Sequence, residues 1–229
     1  AYGLFFGNVV LLPLWLQQFM GYTATQAGMV MAPVGLLALV LSPVVGKNIG
    51  RVDPRYFATF AFLIFALVLW MRSMFNTQAD IATIMVPTII QGVAMAFFFI
   101  PLVTITLSGL PPERIPAASG LSNFVRITAG AVGTSVATTV WENRAALHHA
   151  QLVESITLGN PVASSALSGL TASGIDPQQA LAQVNRLVDQ QAFMLAANDV
   201  FYVSALLFLL LIPLIWLTQP PKAATGSAD

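Results

Sequence analysis

A charged residue lies within a stretch of the chain that is long enough to cross a bilayer. Arg126 is near the middle of residues 117–141, AASGLSNFVRITAGAVGTSVATTVW. An arginine at the bilayer centre costs about 2.5–3.5 kcal/mol on insertion scales, so it needs a polar partner or water. Arg126 is therefore the first candidate for binding a substrate or pairing with a distant acid. The alternative is that it bonds backbone carbonyls and locks two helices together.

The same stretch separates small and polar residues from bulky ones when it is wound as a helix. At 3.6 residues per turn one narrow face carries Ser119, Asn123, Arg126, Gly130, Gly133 and Ala137. The opposite side carries Leu121, Val125, Val132 and Val136. This division is typical of a membrane helix that faces neighbouring helices or a water-filled cavity. Asn123, one turn from Arg126, either shares that cavity or bonds a neighbouring helix.

Other polar residues give weaker indications of chemistry. Gln91, beside Gly92 in an apolar run, can bond a ligand, although interhelical bonding is the commoner role of such a residue. A basic cluster, Arg51, Asp53 and Arg55, forms either a gate latch or simply a charged membrane border. His148 and His149 are adjacent and would point about 100° apart on a helix, with no cysteine to complete a set of ligands. We expect no metal and no other cofactor.

The composition places the chain among membrane proteins. Apolar residues make up 57% and charged residues 8%, whereas soluble domains contain about 25% charged residues. The net charge of zero gives no electrostatic basis for nucleic-acid binding. The absence of cysteine excludes disulfides and thiolate nucleophiles. No Met or charged n-region precedes the first apolar run, so we expect no signal peptide and expect the chain to be part of something longer.

Six apolar segments approach the length of about 20 residues that a crossing helix needs. They are residues 2–20, 27–46, 56–71, a part of 81–107, 117–141 and 200–217. No segment alternates as a barrel strand does. The prediction is an all-α membrane protein with six transmembrane helices, the first five in residues 1–141 and the last in 199–218. Residues 219–229 form a tail, and the lysines and arginines favour a cytoplasmic location for this tail and the short basic loops.

Residues 142–198 are more polar and form the long connection between the fifth and sixth helices. We expect residues 142–156 to prolong the fifth helix beyond the membrane. A second helix should begin at Asp176-Pro177, where an N-cap precedes a proline at the first helical position. Asp199 would then cap the sixth crossing. The prediction is a helical extramembrane loop on the periplasmic side.

Four stretches of the sequence resemble one branch of a transporter superfamily. They are LPLWLQQFMGYTATQAGMVMAP, GRVDPR, SGLPPERIPAASGLSNFVR and WENRAALHHAQL. Together with the long loop they resemble the EmrB/QacA branch of the major facilitator superfamily, the fourteen-helix drug:proton antiporters, and most closely the EmrB type. The resemblance covers essentially the whole chain and implies the C-terminal six-helix half of an exporter in the bacterial inner membrane. It also implies that Asn8 and Gln17, in the first helix, border the central cavity; the alternative for Gln17, near the outer end of that helix, is contact with bulk water.

The resemblance implies a function and a set of partners. The function is proton-driven export of hydrophobic or amphipathic drugs, and the partners are the N-terminal half, a periplasmic adaptor of the EmrA type, a TolC-like outer-membrane channel and membrane lipid. The alternative is a scaffold half that mainly docks the adaptor through the periplasmic loop. An intramembrane enzyme is set aside, because both histidines lie outside the apolar segments.

Overall fold

In the computed structural model, which describes residues 1–156 and 160–218, the chain folds into seven α-helices and one short 3₁₀ turn. The helices are α1 (Tyr2–Gln18), α2 (Ala24–Asn48), α3 (Pro54–Arg72), α4 (Ile81–Leu107), α5 (Ile115–Ser155), α6 (Pro161–Ala172) and α7 (Pro177–Trp216). The 3₁₀ turn, Pro112–Arg114, precedes α5. The described part of the chain contains no strand, as the apolar runs predict.

Four of these helices are long and apolar enough to cross a membrane: α2, α3, α4 and α7. At 17 residues, α1 is slightly shorter than the usual span. Although α5 is 41 residues long, its glycines, serines and threonines make it less hydropathic than the other long helices. The chain is thus a multi-pass membrane protein, and six crossings remain a prediction.

Side-chain caps define where the helices begin. Thr23 and Gln26 form a reciprocal capping box at the start of α2. Asp53, Asp80 and Asp176 accept backbone hydrogen bonds at the starts of α3, α4 and α7. Hydrogen bonds from Thr83 hold the pKa of the exposed Asp80 carboxyl below its usual value, so this cap is charged at neutral pH. The start of α7 at Asp176-Pro177 is as predicted.

The helices pack around an aromatic core. In the bundle α1 packs on α5, α2 on α4, and α3 on both α4 and α7, while α5 also packs on α7. At the centre, the Phe98 ring stacks on Phe5 and meets Phe65 edge-on, and Phe65 stacks on Phe208. These four rings are all buried and join α1, α3, α4 and α7. Ring contacts of this kind stabilise a core beyond the burial of their area.

The contact between α1 and α5 depends on glycine. A Cβ atom added to Gly133 would overlap the Gly3 carbonyl group, and one added to Gly7 would lie 2.8 Å from the Gly133 carbonyl oxygen. Such close backbone approach is how small residues bring membrane helices together. The small-residue face of residues 117–141 is therefore a helix-packing face from Gly130 to Ala137.

Replacing Gly133 by alanine should separate α1 from α5. We expect Gly133→Ala to destabilise the full-length protein by about 1–3 kcal/mol, as overpacking does in cores. Gly120→Ala in the same helix is the matched control, because nothing lies within 4 Å of its added Cβ. Thermal unfolding of the purified proteins in detergent measures the difference. Equal midpoints for the two variants would contradict this packing of α1 on α5.

The long connection differs from its prediction in three respects. As predicted, α5 continues without a break to Ser155. Residues 161–172, however, form the additional helix α6, and α7 runs unbroken for 40 residues from Pro177 to Trp216. No glycine or proline interrupts residues 178–212, so the extramembrane and apolar parts join in one rod. The predicted capping role of Asp199 is wrong because this residue lies in mid-helix. The predicted tail, 219–229, lies outside the described residues.

Candidate functional site

Arg126 lies in a small polar cluster at the edge of the α1–α5 contact. Its guanidinium donates a hydrogen bond to the side-chain oxygen of Asn123, one turn earlier in α5. Its Cζ atom also lies 5.9 Å from the centroid of the Tyr2 ring in α1, within the range of a cation–π contact. The structure thus brings together Arg126 and Asn123, which the sequence proposed as a pair. Tyr2 is a third member that the sequence pattern did not indicate.

The positive charge of Arg126 is not neutralised by an acid in the described parts of the chain. The ion pairs there involve other residues, and the partners of Arg126 are neutral. The arginine is half-buried, and Asn123 is exposed. Around them α5 exposes bulky apolar side chains, including Leu121, Phe124 and Ile127, each 65% exposed. An apolar surface with one unneutralised cation is suited to contact with another part of the protein or with a bound molecule.

Asn8 is a buried residue at the wall of a cavity. The cavity has a volume of about 750 Å³ and lies between α1, α5 and α7. Although Asn8 is only 4% exposed, its Oδ1 atom has no hydrogen-bond partner. Its Nδ2 atom donates to the Leu4 carbonyl at 2.8 Å, which fixes the orientation of the amide. The oxygen itself has almost no accessible surface, so it is packed behind the cavity wall.

Gln91 faces a buried arginine instead of an open space. Its Oε1 atom accepts a hydrogen bond of 2.5 Å from Nη2 of Arg72. The same nitrogen lies 3.4 Å from the Thr88 hydroxyl, and the guanidinium lies 6.0 Å from the Phe201 ring centroid. Arg72 is completely buried. In the sequence, Arg72 is simply a charged residue next to a loop. The polar residues Thr88 and Gln91, one turn apart in the apolar helix α4, could have indicated that a buried polar partner packs against them.

The remaining predicted site residues lie apart from Arg126. Gln17 is exposed and donates to the Pro13 carbonyl within its own helix. Asp53 caps α3, and its carboxylate is 4.0 Å from Nε of Arg55. Arg55 is buried and donates to the Thr218 carbonyl, which joins the start of α3 to the end of α7. Arg51 is exposed. The gate cluster is thus partly a structural joint.

A second charged cluster, also missed from the sequence, joins α5 to α7. The Asp199 carboxylate accepts from Nε of Arg144 at 2.8 Å and lies 2.6 Å from its Nη2 and 2.7 Å from Nε2 of His148. His149 is directed at another pair, 3.3 Å from Asp189 and 3.2 Å from Asn185. Because the two imidazoles have different partners, they do not converge. No group of three metal-ligating side chains occurs within residues 1–156 and 160–218.

Comparison with known proteins identifies the family. The family described as Major Facilitator Superfamily matches residues 1–134. The chain belongs to this superfamily. Facilitators are transport proteins built from membrane helices, and the all-helical bundle with its four span-length helices agrees with that membership.

Individual members of the superfamily resemble the chain over nearly all of its length. The chain is 46% identical over 227 residues to the multidrug export protein EmrB of Escherichia coli strain K12. This alignment covers 99% of the chain and 44% of that protein. It is 41% identical over 222 residues to the fatty acid resistance protein FarB of Neisseria gonorrhoeae, an alignment that covers 97% of the chain and 44% of FarB. It is also 26% identical over 207 residues to the colistin resistance protein EmrB of Acinetobacter baumannii, an alignment that covers 88% of the chain and 40% of that protein. The chain thus spans less than half the length of these relatives, and the predicted likeness to the EmrB type is confirmed.

Proposed function

We propose that this chain is the C-terminal half of a proton-driven multidrug efflux transporter of the bacterial inner membrane. The similarity to multidrug export proteins along 99% of the chain supports this function. The substrates would be hydrophobic or amphipathic compounds, bound in a central cavity between this half and the rest of the protein. Rocking of the two halves about that cavity would give alternating access.

Within the structure, the charge of Arg126, which no acid neutralises in the described residues, is the main support for this proposal. A guanidinium has five N–H donors, and the cluster with Asn123 accounts for only some of them. The cation therefore has the capacity to bind a carboxylate of the other half or an anionic or polar part of a substrate. Because none of the nine Asp and Glu residues is well inside an apolar segment, the proton-carrying acid would come from the other half.

Transport by the reconstituted full-length protein tests this function. In proteoliposomes with an acidic interior, a fluorescent amphipathic cation such as ethidium should accumulate only while the pH gradient persists. Residues 1–229 alone should not accumulate the dye, because they lack the coupling acid. Collapse of the gradient with nigericin is the control. Gradient-independent accumulation by the full-length protein, or robust accumulation by this chain alone, would contradict the proposal.

A second candidate function is adaptor docking through residues 142–198. No residue of α6 is buried, and Val162 at its start is 77% exposed, so α6 offers a free surface beside α7. Here the half would chiefly be a scaffold for a periplasmic adaptor of the EmrA type, which in turn meets a TolC-like outer-membrane channel. Docking of an adaptor through residues 142–198 is also compatible with the export function.

Deleting residues 161–174 tests whether an adaptor docks through α6. The scaffold function predicts loss of adaptor copurification with dye binding retained. We expect copurification to fall and resistance with it, while dye binding by the purified full-length protein is unchanged. Unchanged copurification would rule out docking through α6. Replacing the deleted residues by a flexible Gly–Ser linker of equal length controls for strain in the joint between α5 and α7.

A further inference from the structure

Both histidines of the chain lie where α5 packs against α7 beyond its apolar part, and each faces an acid of α7. His148 lies 2.7 Å from the Asp199 carboxylate, and His149 lies 3.3 Å from the Asp189 carboxylate. The two acids are ten residues apart in α7, which is roughly 15 Å along the helix. Histidine is the side chain whose charge ordinarily changes between about pH 5 and 8. Mild acidification therefore acts on the contact between these two helices.

The charge at the His148 contact is already balanced. The Asp199 carboxylate also lies 2.6 Å from Nη2 of Arg144, which is one turn before His148 in α5. A proton added to His148 would place a second cation beside a carboxylate that a guanidinium already neutralises. Because attraction to Asp199 and repulsion from Arg144 oppose each other, we expect this contact to change little with pH.

His149, in contrast, lies in a site with a net negative charge. Its Nε2 atom is 3.3 Å from Oδ1 of Asp189 and 3.2 Å from Oδ1 of Asn185. The amide of Asn185 is oriented by its Nδ2 atom, which donates to Oδ2 of Asp189 at 3.2 Å. Since both oxygens are acceptors, Nε2 carries the hydrogen of the neutral imidazole, and an added proton binds Nδ1 without breaking either contact. Protonation thus turns a hydrogen bond to a carboxylate into an ion pair.

The other titratable groups of the surrounding elements form no ion pair with this site in the described residues. In α7, Arg186 is exposed, so solvent screens its charge, and in α5 Glu142 and Glu154 are exposed as well. Tyr2, the titratable side chain of α1, lies at the opposite end of α5. Helices α4 and α6 have no titratable side chain, and the charges of the 3₁₀ turn precede the start of α5. The charge that faces His149 is therefore that of Asp189.

We propose that His149 and Asp189 form a pH-sensitive clasp, which holds residues 142–155 of α5 against residues 177–198 of α7 more tightly in acidic solution. The imidazolium faces a carboxylate only while the two helices are together, so the added proton favours the closed hairpin. As the pH rises through the range in which imidazole loses its proton, this contribution disappears. The clasp goes beyond the proposed export function and is independent of which molecules are exported.

Hydrogen–deuterium exchange of the full-length protein in nanodiscs measures how often this hairpin opens. Native protein and His149→Gln are compared with each other at about pH 5.5 and again at about pH 7.5, so that the chemical pH dependence of exchange cancels. Glutamine keeps a donor for Asp189 but does not titrate.

The expected difference is modest because the His149 and Asp189 side chains are 32% and 42% exposed. In the acidic sample, peptides from the clasped parts of α5 and α7 should exchange roughly threefold more slowly in native protein than in His149→Gln, as a partly exposed ion pair gives. In the neutral sample the two proteins should exchange at equal rates. A native-to-variant ratio that is the same at both pH values would overturn the proposal.

Two further variants assign the effect to this pair. Asp189→Asn keeps an acceptor and removes the charge, so it should lose the protection at low pH as His149→Gln does, and it gives a second reading if His149→Gln folds poorly. His148→Gln is the matched control one residue away, and it should keep the protection. Protection that persists in Asp189→Asn, or that His148→Gln removes as fully as His149→Gln, would also overturn the proposal.

Dye transport under the pH gradient keeps the clasp separate from the export function. Acid-dependent protection without gradient-driven transport would retain the clasp and remove the proposed export function. Transport without acid-dependent protection would leave export intact and remove the clasp.

Discussion

Substitution of Arg126 by alanine in the full-length transporter should abolish drug resistance while the protein still inserts in the membrane. The guanidinium is an unneutralised cation with neutral partners, Asn123 and Tyr2. Losing a hydrogen bond to a charged group costs about 1.5–3 kcal/mol, or roughly 10- to 150-fold in binding. We therefore expect the minimal inhibitory concentration of an exported dye to fall to the value of a strain without the gene. Growth assays and membrane immunoblots measure the two effects.

Two variants show whether the charge or the packing of Arg126 matters. Arg126→Lys keeps the charge and loses the planar fork, so resistance should be partly retained. Ile127→Ala is the positional control, because Ile127 is the next residue and 65% exposed. Full resistance in Arg126→Ala would remove Arg126 from the transport site. Equal loss in Ile127→Ala would indicate a general defect of this part of α5.

The replacement of Gln91 by leucine should destabilise the protein more than Gly133→Ala does. Gln91 supplies the shortest hydrogen bond to Arg72, whose Nε and Nη1 atoms already lack partners in a completely buried side chain. Removing the partner of a buried charge costs about 3–5 kcal/mol. Thermal unfolding of the purified full-length protein should show a large fall in the midpoint, and the amount of protein in the membrane should decrease with it.

The double variant Arg72→Met, Gln91→Leu distinguishes a buried-charge effect from simple loss of packing. Replacing both partners by apolar groups of similar size is often neutral, so the double variant should regain most of the lost stability. Gln17→Leu controls for a glutamine substitution at an exposed position. A double variant as unstable as Gln91→Leu alone would show that the hydrogen bond to Arg72 is not what Gln91 contributes.

Much of the helical architecture follows from local sequence. Long apolar runs predict α2, α3 and α4, because each contains enough consecutive apolar residues to bury itself in lipid. The start of α7 follows from Asp176-Pro177, a cap and first-turn signal within a few residues. The boundary placed between residues 198 and 199 follows from hydropathy alone and stays a prediction; α7 runs unbroken across it, because a change from polar to apolar residues does not interrupt a helix.

The long-range pairs were not accessible from local pattern. Arg72 and Gln91 lie on different helices, and only the packing of α3 against α4 shows that the arginine is buried. Likewise, Asp199 meets Arg144 and His148 because α5 and α7 lie side by side beyond their apolar parts. The position of Asn8 at the wall of a cavity likewise depends on three helices packing together. The sequence of one helix shows which of its residues are polar, but it does not show which residues of other helices they contact.

We propose that the Arg126 end of α5 borders a water-accessible transport pathway, and thiol labelling can measure that accessibility. This chain contains no cysteine, so only cysteines elsewhere in the transporter need to be removed. In the full-length protein in membranes, Asn123→Cys should react with a charged methanethiosulfonate reagent, and an exported dye should slow the reaction. An Asn123→Cys thiol that resists the charged reagent but reacts with an apolar maleimide, with no effect of the dye, would place this surface in lipid and contradict a transport role for Arg126.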